Sequence, residues 1–349
     1  MTSSVDAIYR NFALIIINLN KCIMENNFTV SRRRFLGAAS ILAVGLAIAP
    51  QLMLSQKKNM LFEAFQESPV ITIMRAAETA QVIPTKLRGN ITVLEGSGGN
   101  ISVLNGPDGI LMVDAGIGVS KPNLSAALKN ISNKKIKYLI NTHWHFDHAD
   151  GNLWIKEQGA TIIAQENTRK HLAVSTRVDD WDYTFPAAPT LALPSKTFKD
   201  NNSLILNGEK IEMKHYDPAH TDSDISVYFP KADVLVVADT WWNGHYPFID
   251  YNTGGSITGM IKAAKQNIAR VTNKTIIVPG HGPVGNKQQL IEFKDMLVDI
   301  YQKVAALKKQ GKTLEEVIAT KPTSAYDAKW GGFVIKGDVF TYLVYKGAI

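Results

Sequence analysis

The sequence predicts a layered α/β fold. Short apolar runs separated by turn residues recur through the middle of the chain, and they alternate with amphipathic stretches of helical period. Two such strand-and-helix sets follow one another, the pattern of elements stacked in layers. Composition agrees with a globular body: 349 residues, 45% hydrophobic and 20% charged, unlike disordered, collagen-like or multi-span membrane chains. Length alone allows one large domain or two of about 150 residues each. The net charge is +7, and part of it sits at the front. Residues 1–49 carry Arg10, Lys21, Arg32, Arg33 and Arg34 against Asp6 and Glu25. The remainder, at +4, is too weakly basic to imply a nucleic-acid partner.

The front end reads as an address. Ser31-Arg-Arg-Arg-Phe-Leu precedes an apolar stretch from Phe35 to Leu54, the positive-then-apolar order of an export signal. The pair Arg32-Arg33 with Phe35-Leu36 resembles the twin-arginine signal of bacteria. That resemblance implies the twin-arginine translocase as a partner during export, passage in the folded state, and a periplasmic location. A retained leader would anchor the protein, since roughly 20 apolar residues span a bilayer. Ala47-Ile48-Ala49 resembles a cleavage site, although Pro50 is a poor neighbour for one. Met24 is expected to be the true start, because it opens a compact leader. The single cysteine, Cys22, lies upstream of it, so the mature chain is expected to lack thiols and disulfides. Residues 1–54 are thus read as leader and residues 55–82 as a helical or irregular lead-in.

The runs Ile91–Leu94, Ile101–Leu104 and Ile110–Val113, separated by Gly-Ser-Gly-Gly-Asn (96–100) and Gly-Pro-Asp-Gly (106–109), predict an antiparallel meander. Ser120 with Pro122 predicts a helix start, with the helix running to about Ile131. Ile136–Ile140 is the next strand, Gly151–Gln158 a helix, Thr161–Ala164 a strand and Glu166–Ala173 a helix. Residues 176–200, with Pro186, Pro189 and Pro194 beside Trp181, Tyr183 and Phe185, read as a long loop of the kind that rims a site. Strands are then expected at Ser203–Leu206, Ile211–His215, Ile225–Phe229, Val234–Ala238 and Thr275–Val278. Helices are expected at Ile257–Val271 and Lys287–Gln310. Thr313 with Glu316 forms a capping box for a last helix through about Thr320.

Five of the eight histidines fall in three contexts. The first is His143-Trp-His145-Phe-Asp147-His148, the second Pro218-Ala-His220-Thr-Asp222, the third Pro279-Gly-His281-Gly. Asp239 closes the apolar run before it. In an extended loop His143 and His145 point the same way, while Asp147 and His148, one turn later, can face a second point close by. Imidazole and carboxylate together suit zinc, and also iron or manganese. Four such groups within six residues crowd a single tetrahedral ion, but they can serve two ions once later segments complete each sphere. His171, His215 and His245 read as ordinary histidines.

These residues resemble the metallo-β-lactamase superfamily, through His-x-His-x-Asp-His and over roughly residues 83–310. The resemblance implies a four-layer αβ/βα sandwich with two zinc ions at one edge between the sheets, and residues 311–349 as an extension packed on it. His143, His145 and His220 would bind the first ion, Asp147, His148 and His281 the second, and Asp239 would bridge. Asp114 in Leu111-Met-Val-Asp-Ala-Gly resembles the family's aspartate that steadies the histidine loop. The stretch from His220 to Asp239 is similar to that of the cysteine-using lactamases, yet Asp239 stands where they place cysteine and Trp242 where they carry lysine. A bridging aspartate suits the hydrolase branches instead, although Thr221-Asp222-Ser223 replaces their usual Thr-Pro-Gly.

The implied activity is zinc-dependent hydrolysis of a small acyl substrate (ester, thioester, lactone or amide) by activated water, with Asp147 orienting the nucleophile. A β-lactamase proper is the alternative within the family; a di-iron redox or binding module is the alternative outside hydrolysis. Trp144, Trp181, Trp241, Trp242, Tyr246 and Phe248 are candidate pocket walls.

Overall fold

Strands with two apolar faces require cover on both sides, and the computed structural model supplies it. It describes residues 68–96 and 98–349. The expected twin-arginine signal with its apolar stretch, and Met24 and Cys22, lie outside the described residues. Among those described, no helix is long and apolar enough to cross a membrane.

A helix α1 (Pro69–Thr79) leads into the first sheet. That sheet uses β1 (Ile83–Lys86), β2 (Ile91–Glu95), β3 (Ile101–Gly106), β4 (Gly109–Val113), β5 (Ile136–Ile140) and β6 (Thr161–Gln165). After a separate hairpin of β7 (Thr176–Val178) and β8 (Tyr183–Phe185), β9 (Lys196–Phe198) returns to its edge. Pairing is antiparallel from β1 to β4 and parallel from β4 to β9. The second sheet runs β10 (Asn201–Leu206), β11 (Glu209–His215), β12 (Ile225–Phe229), β13 (Val234–Trp242) and β14 (Ile276–His281) in that order. Only its last pair, β13 with β14, is parallel.

Alternation along the strands sorts the side chains into three cores. Leu111, Val113 and Ile140 face Met213, Val227, Val236 and Val278 between the sheets. Ile110, Met112 and Leu139 face outward onto α2 (Lys121–Ile131), α3 (Phe146–Ala149) being a single turn, and α4 (Asn152–Glu157). A short α5 (Glu166–Leu172) follows β6. Leu235 and Val237 on the far face of the second sheet pack against α6 (Ile257–Arg270), α7 (Lys287–Lys309) and, beyond α8 (Leu314–Ala319) and α9 (Asp327–Trp330), α10 (Gly337–Gly347). The order helix, sheet, sheet, helix is the four-layer arrangement expected.

Local chemistry fixes the element ends. Capping boxes at Asn286 with Gln289 and Thr313 with Glu316 start α7 and α8. Ser120 does not cap α2 with its side chain; its hydroxyl donates instead to Ala77 O at 2.8 Å, tying α1 to the body. Residues 176–200 are not one loop, because the polar-apolar alternation around Trp181 closes a hairpin and Lys196–Phe198 pairs with β6. Asp239 does not end its strand. Pairing with β14 continues to Trp242 opposite His281, through irregularities on either side of Ala238.

Candidate metal centre

The parallel edges of both sheets bring distant segments together. β4 is followed directly by Asp114, held in the left-handed region at φ 67°, a conformation with a real steric cost for a non-glycine residue. From there its Oδ1 accepts the Thr142 N–H at 2.7 Å, and its Oδ2 accepts the Thr142 hydroxyl at 2.7 Å and the His148 Nδ1–H at 2.8 Å. One buried carboxylate thereby fixes the histidine loop at both ends.

The loop directs its groups to two points. His143, His145 and His220 bring ligand atoms within 4.8 Å of one another, and so do Asp147, His148 and His281; His143, His148 and Asp239 form a third such group that joins the two. All seven residues singled out in the sequence therefore lie in one cluster. Asp239 sits between the sets: Oδ1 is 3.0 Å from His148 Nε2, and Oδ2 is 3.4 Å from both His220 Nε2 and His281 Nε2. Asp147 Oδ2 lies 3.2 Å from His281 Nε2 and 3.5 Å from His148 Nε2.

Outer hydrogen bonds set which ring nitrogen faces inward. His145 gives Nε2–H to Asp250 at 3.0 Å, His148 gives Nδ1–H to Asp114, and His220 gives Nδ1–H to Phe248 O at 2.8 Å. His143 Nδ1 lies 3.1 Å from the Thr142 hydroxyl. The inward nitrogen of each ring, when neutral, is then a lone pair. His220 Nε2 and His145 Nδ1 face each other at 2.8 Å, and His143 Nε2, His148 Nε2 and Asp239 Oδ1 are buried without a hydrogen-bond partner. Buried polar atoms are rarely left unpaired. Lone pairs converging in this way fit shared cations, and imidazole with carboxylate is a donor set for zinc or a similar divalent ion.

The charges sort by side. Burial pushes the His220 imidazole down to about 4 against the pull of Asp239, and burial with His148 nearby holds His143 well below its usual range. Burial acts the same way on His281 and His148, but the carboxylates of Asp239 and Asp147 outweigh it, holding His281 at about 9 and His148 well above its usual range. Burial would raise Asp239, yet His148 and His281 keep it well below the ordinary carboxylate range. The second group thus demands positive charge, which protons supply when metal does not.

Several contributors escaped the sequence reading. Asp250 holds His145 and also accepts the Thr253 hydroxyl at 2.6 Å. Asp224 accepts the His220 N–H at 2.7 Å and the Thr221 N–H at 2.9 Å, and burial pushes its carboxyl up to about 7. Gly98 and Gly99 press on Asp147 and His148 so closely that a Cβ on either would collide. Asn100 Nδ2 ties that loop to Pro279 O and Gly282 O at 3.0 and 2.9 Å. Only the glycines and Asn100 left a trace in the sequence, as Gly-Ser-Gly-Gly-Asn. Among the candidate walls, Trp241 and Tyr246 are wholly buried core residues. Trp144, Trp181 and Phe248 pack behind the three-histidine group. Trp242 lies on His281, with ring centroids 4.3 Å apart, and Phe333 joins it.

Comparison with known proteins agrees with this architecture. The family model described as "Metallo-beta-lactamase superfamily" matches residues 94–281. The chain is similar to the linear primary-alkylsulfatase of Pseudomonas sp. (strain ATCC 19151), 23% identical over 252 residues covering 61% of this chain and 48% of that protein. It is also similar to metallo-beta-lactamase type 2 of Elizabethkingia meningoseptica, 22% identical over 199 residues covering 57% and 74%. Among solved structures, the stereoselective inverting sec-alkylsulfatase Pisa1 from Pseudomonas sp. superposes with a TM-score of 0.55 at 16% identity, covering 78% of this chain and 51% of that one. A metallo-beta-lactamase from Pontibacter korlensis gives 0.51 at 18% identity, covering 63% and 100%. The chain spans about half the length of these alkylsulfatases. At such identities the structural likeness speaks for the fold.

Proposed function

This chain belongs to the metallo-beta-lactamase superfamily, and from that premise we propose that it is a two-zinc hydrolase of small acyl substrates: esters, thioesters, lactones or amides. The observation that carries the reading is the convergence of donor atoms, with His220 Nε2 and His145 Nδ1 facing each other at 2.8 Å and Asp239 Oδ2 3.4 Å from His220 Nε2. His143, His145 and His220 would hold one ion, Asp147, His148 and His281 the other, with Asp239 between. Bound there, the ions would supply Lewis acidity and a water acidified towards neutrality.

The chain's own groups do the rest. Burial would raise the Asp147 carboxyl, but His148 and His281 hold it below its usual range, so it stays an acceptor. Its side chain is 13% exposed whereas that of His148 is closed off. Asp147 is therefore placed to orient an attacking water by accepting its hydrogen bond. Phe333, partly exposed and 6.0 Å from the His281 ring with the buried Trp242 behind it, gives the side beside His281 an apolar face, suited to the body of an uncharged substrate. The Arg32-Arg33 signal supports export by the twin-arginine route and action in the periplasm; replacing both arginines with lysine and fractionating cells tests that.

The likeness to two alkylsulfatases favours a second reading, hydrolysis of alkyl sulfate esters. One experiment addresses both. Wild type, His220→Ala and Asp147→Ala are loaded with zinc, assayed for bound metal, and run on p-nitrophenyl esters, a thioester, lactones, nitrocefin and dodecyl sulfate. Close to two zinc ions in wild type, loss of metal in His220→Ala and a fall in turnover of at least about 100-fold in both variants are expected. The substrate turned over decides between acyl and sulfate chemistry. Full metal content and undiminished turnover in both variants would remove the mechanism. Iron with a redox-active spectrum in the protein as purified, before zinc loading, would replace it with the di-iron reading.

A further inference from the structure

We infer that Trp242 is the positioning residue for Asp239, its indole N–H holding Oδ2 of that carboxylate between the two ligand groups. The inference rests on the two-ion reading above. Trp242 Nε1 donates to Asp239 Oδ2 at 2.9 Å, and both side chains are buried. That same oxygen is the one equidistant, at 3.4 Å, from His220 Nε2 in the first group and His281 Nε2 in the second.

A flat strand could not make this contact, because residues three apart point to opposite faces. β13 is not flat here. Its pairing with β14 slips between Val236 and Ala238 and again between Ala238 and Trp242, and Ala238 is held at φ 44°. Bulges of this kind re-aim side chains beside functional sites. The distortion turns Asp239 and Trp242 onto one side, where the indole also lies 4.3 Å from the His281 ring at 53°. Gly280 closes the other flank of the carboxylate, since a Cβ there would collide with Asp239 Oδ1. The carboxylate is therefore pinned between a backbone and a donor. Every other neighbour of Oδ2 named above is an imidazole that can gain or lose a proton; an indole N–H only donates. It can hold the oxygen in place whatever the state of those rings.

A bridging carboxylate needs both its orientation and its donor strength fixed, and outer hydrogen bonds set both. The second ion depends most on this, because two of its three other groups, Asp147 and His281, have side chains 13% and 10% exposed and only His148 is closed off. The test compares wild type with Trp242→Phe and with Trp242→3-benzothienylalanine, introduced at that codon. The second substitution keeps the bicyclic ring and puts a sulfur that cannot donate where the N–H stood, so it remains informative if Trp242→Phe fails to fold. Zinc affinity is measured for each ion by competition with a chromophoric chelator, and melting is followed in the metal-free protein.

The expected result for the isostere is an unchanged metal-free melting midpoint, a first ion bound within about twofold of wild type, and a second ion bound about 10–100-fold more weakly. With a substrate found in the panel above, kcat falls while KM stays within about twofold. Wild-type affinity for both ions in the isosteric variant would overturn the inference and leave the proposed function standing. A wild type that binds fewer than two ions would overturn the proposed function, and the inference with it, before any variant is compared.

Discussion

Oδ2 of Asp250 lies 3.0 Å from Nε2 of His145, although 105 residues separate them in the chain. The contact decides the chemistry of His145, since a carboxylate can only accept and Nε2 must carry the proton. Nδ1 is then the lone pair that faces His220. Asp250→Ala removes that choice and is expected to weaken zinc at the three-histidine group about 10–100-fold. Asp250→Asn is expected to do as much harm, because its amide can donate to Nε2 and drive the proton onto Nδ1. Competition titrations check both; a pair of variants with wild-type affinity would show that the ring orientation has another cause.

Gly280 and Gly99 owe their identity to close approach. A Cβ on Gly280 would strike Asp239 Oδ1 and the Ala238 backbone, and one on Gly99 would strike the His148 ring. Neither clash is with the far end of a flexible chain. Gly280→Ala and Gly99→Ala are each expected to lower stability by about 1–3 kcal/mol and to cut zinc affinity at the second group at least tenfold. Denaturant midpoints and metal content check this. Alanine variants that retain both properties would mean that the backbone there moves freely.

How legible this was in the sequence follows from range. The strands Ile101–Gly106, Gly109–Val113 and Ile225–Phe229 were readable because their apolar pattern is local. The clustering of the seven residues was legible through the closely spaced His143, His145 and His148 and through the family resemblance, which added His220, Asp239 and His281. Asp250 was not, since Asp-Tyr-Asn-Thr-Gly reads as a turn, which it also is: its side chain accepts the Asn252 and Thr253 N–H groups. Its partner is fixed only by the packing of α6 and the second sheet. Phe333 lies outside the family match and meets His281 only through the folded C-terminal segment. The segment 176–200 misled because its prolines mask strands of three residues each.

Asp180, on the turn of the β7–β8 hairpin, accepts the Tyr342 hydroxyl at 2.7 Å and the Lys346 ammonium at 2.9 Å, both from α10. The same hairpin carries Trp181, which packs on Phe248 at 4.9 Å, and Phe248 O holds His220. Asp180→Ala breaks two hydrogen bonds, one of them charge-assisted, and leaves the phenol of Tyr342 without its partner. A loss of about 2–4 kcal/mol is expected, tempered because Lys346 is partly exposed and regains water. Tyr342→Phe, which strands no ammonium, is expected to cost about 1 kcal/mol. Equilibrium unfolding checks both; equal losses would show that the ammonium contributes nothing.

Metal and pH are expected to act on stability together. His281 is held at about 9 and His148 well above its usual range, so without metal the folded chain binds more protons than the unfolded one above pH 6.5. The contribution of His281 is full below 6.5 and lost as pH rises through about 9, and His148 acts in the same sense. His220, pushed down to about 4, and His143 act in the opposite sense. Between 4 and 6.5 the unfolded chain binds protons that the folded one refuses, so stability falls as pH drops through that window. The combined contribution of these four histidines to the metal-free protein should therefore be greatest near pH 6.5. Zinc replaces the protons on His148 and His281, which removes the alkaline loss. At neutral pH, zinc at 100 times its dissociation constant adds about 2.7 kcal/mol, or roughly 5–10 °C in Tm. The gap between zinc-loaded and chelator-treated protein should then widen from pH 6.5 to 9. Melting curves across that range check the expectation, and a constant gap would mean that metal and protons do not compete for the same nitrogens.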